Sequence, residues 1–393
     1  MKKSLFCLVS LFLVQLVVGG NLALAAAPSG STTQFLIPQQ VANASTTGGS
    51  SGTATDAATS QTQEYNDMLA ATDEKDAELR YQKIQEFIKK YPESEYKTYV
   101  KTRLNGARGQ LVFSFINKKV DPAKPNELKE NLGQANKFGK ELLADPKENK
   151  EGVNEFPYYY GLGRALGLYS IQSNDNSYLK DGAEFAQKAL ELIAQGSKID
   201  NKNFKWEEKK NSVIADLHRT IGMMYYVDTK YDDATREFEE AIKVDCDPYG
   251  LYYRGRIKYV EYFTLGKTYN EMPDKTTPEA AAALAKAKDK AKVASEYLAK
   301  AIAYIEKRSD GATYKSFSDD ARKFLDAAFN IAYEEKINEQ PAPPPAPEPD
   351  PKAKPGAKPA TPPATTPPAE DPKVKAARLM TEEIDKYKAQ PCQ

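Results

Sequence analysis

The stretch IGMMYYVDTKYDDATREFEEAI, residues 221–242, places small residues at Gly222, Ala234 and Ala241 and aromatic residues at Tyr225, Tyr231 and Phe238. Gly222 to Ala234 spans 12 residues, Ala234 to Phe238 spans 4, and Phe238 to Ala241 spans 3. Two antiparallel helices that cross closely need a small side chain on each at the contact, with larger ones filling the space on either side. This spacing therefore asks for a helical hairpin, with helices at 206–227 and 231–243.

The same organisation extends over residues 62–340. Alternation with period two is hardly visible, and turn residues punctuate helical patterns at Tyr91–Ser94, Val120–Pro122, Asp145-Pro146, Ser173–Asn176, Asp245–Pro248 and Arg308–Gly311. The other predicted helices are 62–90 with a break near Thr72, 94–117, 125–144, 155–171, 178–195, 249–266, 278–306 and 316–337. The fold class is all-α. Gly222, Tyr225, Tyr231, Ala234, Phe238 and Ala241 match, in order, the six signature positions of a tetratricopeptide repeat, and the stretch resembles one beginning near Ala215. His218 and Cys246 depart from the pattern, standing where a large hydrophobe and a proline are usual.

Neighbouring segments are similar but looser. Gly255 follows Gly222 by 33 residues, near the repeat length of about 34. LYYRGRIKYVEYF resembles the next first helix, and Ala294, Leu298 and Ala301 resemble its partner after an insertion around Asn270–Pro278. Upstream, Gly163 in YYYGLGRALGLY and the segment AEFAQKALEL resemble a further pair. RYQKIQEFIKKYPESEY, residues 80–96, is similar to the helix-and-turn ends of exported tetratricopeptide proteins of bacterial envelopes. The helix at 316–337 is expected to cap the stack. The resemblance implies a solenoid of helix pairs.

The ends differ in kind from this body. Lys2 and Lys3, the apolar run SLFCLVSLFLVQLVVGG and Ala23-Leu24-Ala25 read as a signal peptide over residues 1–25, cleaved near Ala25. The expected location is the periplasm or the exterior, with no stable membrane insertion after cleavage. Residues 26–61, rich in Ser, Thr, Gly and Ala, carry too little apolar surface to offset ordering and are expected to be a disordered leader, with Phe35-Leu36-Ile37 as a small apolar island. Residues 341–372 are dominated by proline, alanine and lysine. They read as a semi-rigid linker that could reach on the order of 100 Å at about 3 Å per residue. In the C-terminal segment 373–393, Ala377, Met380, Ile384 and Tyr387 share one helical face. In isolation such a helix frays in water; on a tether it could dock.

The chain has 55 basic and 55 acidic residues, and losing Lys2 and Lys3 leaves it slightly acidic. That balance argues against a nucleic-acid partner, which requires a basic surface. Cys7 leaves with the signal peptide. Cys246 and Cys392 remain; they can pair with each other, stay free or pair between molecules.

No motif requires an enzyme, a cofactor or a metal. The one histidine, His218, lacks an HExxH context or a cysteine cluster. LGKT, residues 265–268, has Glu261 where a phosphate loop needs its first glycine, and GLGRALG, residues 161–167, sits in a helical region where small residues serve close packing. In the family, certain first-helix positions face a binding groove. Carried onto this chain, they imply Tyr160, Arg164, Arg219, Met223, Tyr226, Tyr252, Arg256 and Tyr259. Arginine forks match carboxylates, and tyrosine supplies contact area at low entropy cost. The implied ligand is a protein or peptide of acidic or C-terminal carboxylate character. Met223 stands where the chaperone-binding members carry asparagine, so a chaperone tail is not implied. The expected function is a non-enzymatic interaction scaffold of the cell envelope; the alternative is an envelope spacer that contacts cell wall or membrane through its Pro-rich arm.

Overall fold

The computed structural model describes residues 53–121, 124–173, 175–200, 204–308, 314–339 and 370–391. The signal segment, the leader as far as residue 52, most of the Pro-rich linker, Cys7 and Cys392 lie outside the described residues. Among the described residues all regular structure is helical, with no strand. The helices are α1 Thr53–Thr72, α2 Ala77–Lys90, α3 Lys97–Ile116, α4 Pro125–Ala144, α5 Phe156–Ser173, α6 Leu179–Ala194 and α7 Trp206–Val227, followed by α8 Tyr231–Asp245, α9 Pro248–Glu271, α10 Pro278–Lys307, α11 Lys315–Ala332, α12 Glu334–Asn338 and α13 Pro372–Lys388.

Three of these helices start by the same local rule. Asp247, Thr277 and Asp371 each accept a backbone N–H of the first turn, and Pro248, Pro278 and Pro372 follow at the first helical position. There the missing N–H costs nothing and the fixed φ suits a helix. Helix α1 begins inside the segment 26–61 expected to be a disordered leader, at Thr53. No glycine or proline occurs between Gly52 and Pro92, so once the apolar end of α1 is held by packing, helix propagates back through Thr53–Gln61 at little cost.

The chain divides into two compact units, one running to Lys230 and the other from Tyr231 onward. The boundary falls at the end of the Asp228–Lys230 turn, within the repeat-like stretch itself.

In the first unit, successive helices pack in sequence-adjacent pairs. Its apolar interior forms three clusters in chain order. Met68, Ile84, Phe87 and Val100 join α1 to α3. Leu111, Leu142, Leu162 and Phe185 join α3 to α6. Phe156, Ala186, Trp206 and Leu217 join α5 to α7. Helix α5 also packs beside α3 and beside α7, so three alternate helices lie in a row. The α5–α6 crossing is set by Gly163. A Cβ there would lie 2.6 Å from the backbone nitrogen of Ala186.

The second unit is built on a long hairpin of α9 and α10. The apolar face of α10 is largely alanine, with Ala280, Ala287, Ala291, Ala294 and Ala301 all buried, so α9 can approach closely. At the crossing a Cβ on Gly255 would lie 2.7 Å from Leu298 Cγ. Helix α9 continues to Glu271, beyond the expected end at Gly266, because no proline intervenes before Pro273.

Two expectations about the C-terminal region are corrected. Helix α11 is not the outer cap, because α13 packs against α10 and α11. Nor is α13 a fraying helix at the end of a long arm. Ala376, Leu379, Ile384 and Tyr387 are buried in one core with Leu251, Ile302, Leu325 and Phe329. The buried stripe differs from the expected one at its start, where Ala376 faces inward and Ala377 is exposed. Lys375 Nζ donates to the carbonyl of Glu339 at 2.6 Å, so the chain re-enters beside the point where it left. The Pro-rich arm therefore does not carry α13 away from the body.

Candidate binding face

The side chains expected to line a groove are organised around two aspartates that the sequence reading did not single out. In the first unit, Tyr160 and Arg164 lie one turn apart on α5 and reach across to Asp216 on α7. Tyr160 Oη donates to Asp216 Oδ2 at 3.0 Å, and Arg164 Nε donates to the same oxygen at 3.0 Å. Arg219, one turn along α7, donates to Asp216 Oδ1. Two guanidiniums thus converge on one carboxylate whose side chain is 13% exposed.

Electrostatics follow from this geometry. Burial pushes the Asp216 carboxyl up, but Arg219, Arg164 and the Tyr160 hydrogen bond outweigh it and hold the group below the usual carboxylate range. Asp216 in turn raises the Arg164 guanidinium against the opposing effect of burial. Burial, and then the nearby carboxylate, push the Tyr160 phenol far above its ordinary value. The cluster is fixed in its charged state.

The second unit repeats the design with fewer parts. Tyr252 on α9 donates to Asp320 Oδ2 on α11. Arg256 Nη1 donates to Tyr252 Oη at 2.7 Å and lies 3.5 Å from Asp320 Oδ2. The Arg256 guanidinium also stacks 4.0 Å from the centroid of Phe324, and Tyr259 meets the same ring edge-on at 5.1 Å. Burial pushes the Tyr252 phenol far up. Asp320 is 34% exposed, so this pair is wetter than the first.

The structure therefore brings Tyr160, Arg164 and Arg219 together in one unit, and Tyr252, Arg256 and Tyr259 in the other. It buries Tyr160, Met223 and Tyr252 at 3%, 6% and 4% exposure, which makes these three interior side chains rather than groove-lining ones. Tyr226 is half-buried near the end of α7. A sequence signal for the clusters exists. Tyr160-Gly161-Leu162-Gly163-Arg164 and Tyr252-Tyr253-Arg254-Gly255-Arg256 share the pattern Tyr-x-x-Gly-Arg. One turn then carries both the helix crossing and the two donors for the next helix but one.

The repeat-like positions are likewise interior. Gly222 is buried and Tyr225 half-buried in the first unit. In the second, Ala234, Phe238 and Ala241 are fully buried, Tyr231 is half-buried, and Phe238 stacks on Tyr253 at 5.3 Å. GLGRALG lies wholly within α5, with Gly163 at the α6 contact, and LGKT lies within α9, where a phosphate-wrapping loop has no place. His218 is half-buried on α7. Among the described residues no group of three His, Cys, Asp or Glu side chains is placed to hold a metal ion, and no helix is long and apolar enough to cross a membrane. Cys246 is disulfide-bonded. No family model matches the chain, and no curated protein is found to be similar to it.

Proposed function

We propose that this chain is an exported, non-enzymatic protein-interaction scaffold of the tetratricopeptide kind, which binds a protein or peptide partner on the row of alternate helices α3, α5 and α7. The observation that carries the reading is the packing of α5 beside both α3 and α7. Stacked helix pairs with aligned first helices offer a continuous face whose side chains come from several repeats, and such architectures serve mostly recognition. The signal-like N-terminus supports export to the periplasm or beyond.

The Asp216 cluster sharpens the partner's chemistry. Two guanidiniums share one carboxylate there, so the cluster itself is cationic. The Arg164 side chain is 35% exposed and is the member best placed to accept a second carboxylate in a bidentate contact. Tyr226 lies one turn beyond Met223 and two turns beyond Arg219 on α7, and would supply contact area. In this reading the buried tyrosines hold the arginines in position and do not touch the ligand.

Affinity capture from cell-envelope extract tests the proposal. The baits are residues 26–393 and the same chain carrying Arg164→Glu and Tyr226→Ala, matched for helicity by circular dichroism. Capture of one protein by the native bait and its loss from the variant supports the face. An identical set of proteins on both baits contradicts it.

A further inference from the structure

Cys246 sits at the junction of α8 and α9. Its backbone is left-handed, with φ of 49°, and its N–H donates to the carbonyl of Ile242 at 2.8 Å. Asp247, the next residue, caps α9. Because α9 runs antiparallel to α10, as the Gly255–Leu298 contact and the Glu261–Lys290 ion pair establish, the start of α9 lies at the end of the hairpin where α10 terminates.

Helix α13 finishes at that same end. The Lys300 ammonium lies over the Tyr387 ring, and one turn further along α10 Tyr304 Oη donates at 3.2 Å to the carbonyl of Pro391, just past the end of α13. Lys307 Nζ donates to the carbonyl of Gln390 at 2.8 Å and reaches that of Tyr387 at 3.4 Å. Leu251, on the first turn of α9, shares a core with Ile302 and Tyr387. Two separately placed features thus converge: a sulfur already in a disulfide, and a chain end pinned one residue short of Cys392. The remaining cysteine, Cys7, precedes the first described residue by 46 positions and lies in the segment expected to be cleaved.

We propose that Cys246 and Cys392 form an intramolecular disulfide that latches α13 onto the core of the second unit, and that reducing this bond releases the helix. In forming it, the two thiols lose two protons and two electrons to a disulfide donor, which leaves as the dithiol. A dithiol reductant reverses the exchange through a mixed disulfide. The latch matters because α13, a 17-residue helix, owes its stability mostly to its seat on the core. Its start is held there by the Lys375 bond to the Glu339 carbonyl, while its covalent path to the body runs through the long Pro-rich segment. Tying its far end beside its seat raises its effective concentration there.

The test uses residues 26–393 and the Cys392→Ser variant, which changes only a side chain near the chain end. Peptide mapping without reductant is expected to find the Cys246 and Cys392 peptides joined, two hydrogens lighter than the separate thiol peptides. Hydrogen exchange over 372–388 is expected to speed up about tenfold or more on adding dithiothreitol. Cys392→Ser should show the fast rate without reductant and no response to it, while α5 amides, in the separate core of the first unit, stay protected throughout. Alkylation of both cysteines without reductant would overturn the proposal. So would a Cys246 linkage found only in a dimer, or α13 exchange that ignores reduction.

Discussion

The first unit spreads its apolar interior over three clusters in chain order, and the second gathers its interior into one core closed by a helix that returns from the far end of the chain. Each crossing in the first unit is therefore local in sequence, and damage to one pair should stay near that pair. In the second, α13 contributes to the same core as α9, α10 and α11, so losing it uncovers all three. Both units use one device, a Tyr-x-x-Gly-Arg turn whose glycine sets a close crossing and whose tyrosine and arginine hold an aspartate two helices on. They differ in how dry the aspartate is.

That difference can be broken most sharply at the aspartates. Asp216→Ala leaves two arginines and a buried phenol without their acceptor and should cost the first unit about 3–5 kcal/mol. Asp320→Ala, at the wetter site with one guanidinium, should cost about 1 kcal/mol. Trp206 is the chain's one tryptophan and packs within the first unit. Its fluorescence should therefore follow the first change in urea titrations and leave the second to circular dichroism. Equal costs would remove the distinction between the two sites.

The acid limb should separate them too. The Asp216 carboxyl is held below its unfolded-state value of about 4. The stability it contributes is complete above that pH and is lost as pH falls through its lower, folded value. Fluorescence-detected stability of Asp216→Asn should accordingly decline less steeply below pH 4 than that of the native chain. A slope that does not change would mean the carboxyl is not held in its charged state.

Core truncations test locality. Ile384→Ala in α13 and Ile84→Ala in α2 remove equally buried side chains, at 2% and 0% exposure, and each should cost about 3 kcal/mol. Hydrogen exchange should locate the loss of the first in α9, α10, α11 and α13, and that of the second in α1–α3 alone. Spread of the Ile84→Ala effect as far as α7 would contradict serial packing.

The glycine crossings come next in size. Gly163→Ala drives a methyl against the Ala186 backbone and should cost about 2–3 kcal/mol. Gly255→Ala meets the Cγ of the fully buried Leu298, with the Ala294 carbonyl oxygen 3.3 Å away, and should cost about 2 kcal/mol. The smallest effect lies in the turn between the units. Thr229 holds φ of 59° after α7, where Gly196 holds φ of 90° after α6. Both turns close with a 2.9 Å bond, Lys230 N–H to the Tyr225 carbonyl and Ser197 N–H to the Leu192 carbonyl. Thr229→Gly should therefore stabilise the chain by about 0.5 kcal/mol, read as a small rise in melting temperature.

Much of the fold was readable because helix punctuation and crossing glycines are local signals. The predicted ranges 125–144 and 206–227 coincide with α4 and α7, and Gly163 and Gly255 lie at the crossings inferred for them. The aspartates were not readable by the same means, since a carboxylate on an amphipathic helix looks alike in sequence whether it faces water or two arginines. Tyr160 and Tyr252 consequently read in sequence as groove residues, whereas their phenols point at Asp216 and Asp320. The seat of α13 was hidden for a different reason. The periodicity of a 17-residue helix shows that it has an apolar face, but not which distant surface covers it.

The central claim, that the α3–α5–α7 row is the binding face, is tested most directly by site-specific photo-cross-linking in intact cells. A photoreactive residue placed at Tyr226 on α7, or at Arg164 on α5, is expected to yield one discrete adduct with a partner. The same residue at Gln187, exposed on α6, should yield none. Adducts from Gln187 with none from Tyr226 or Arg164 would place binding on the second-helix side and contradict the account.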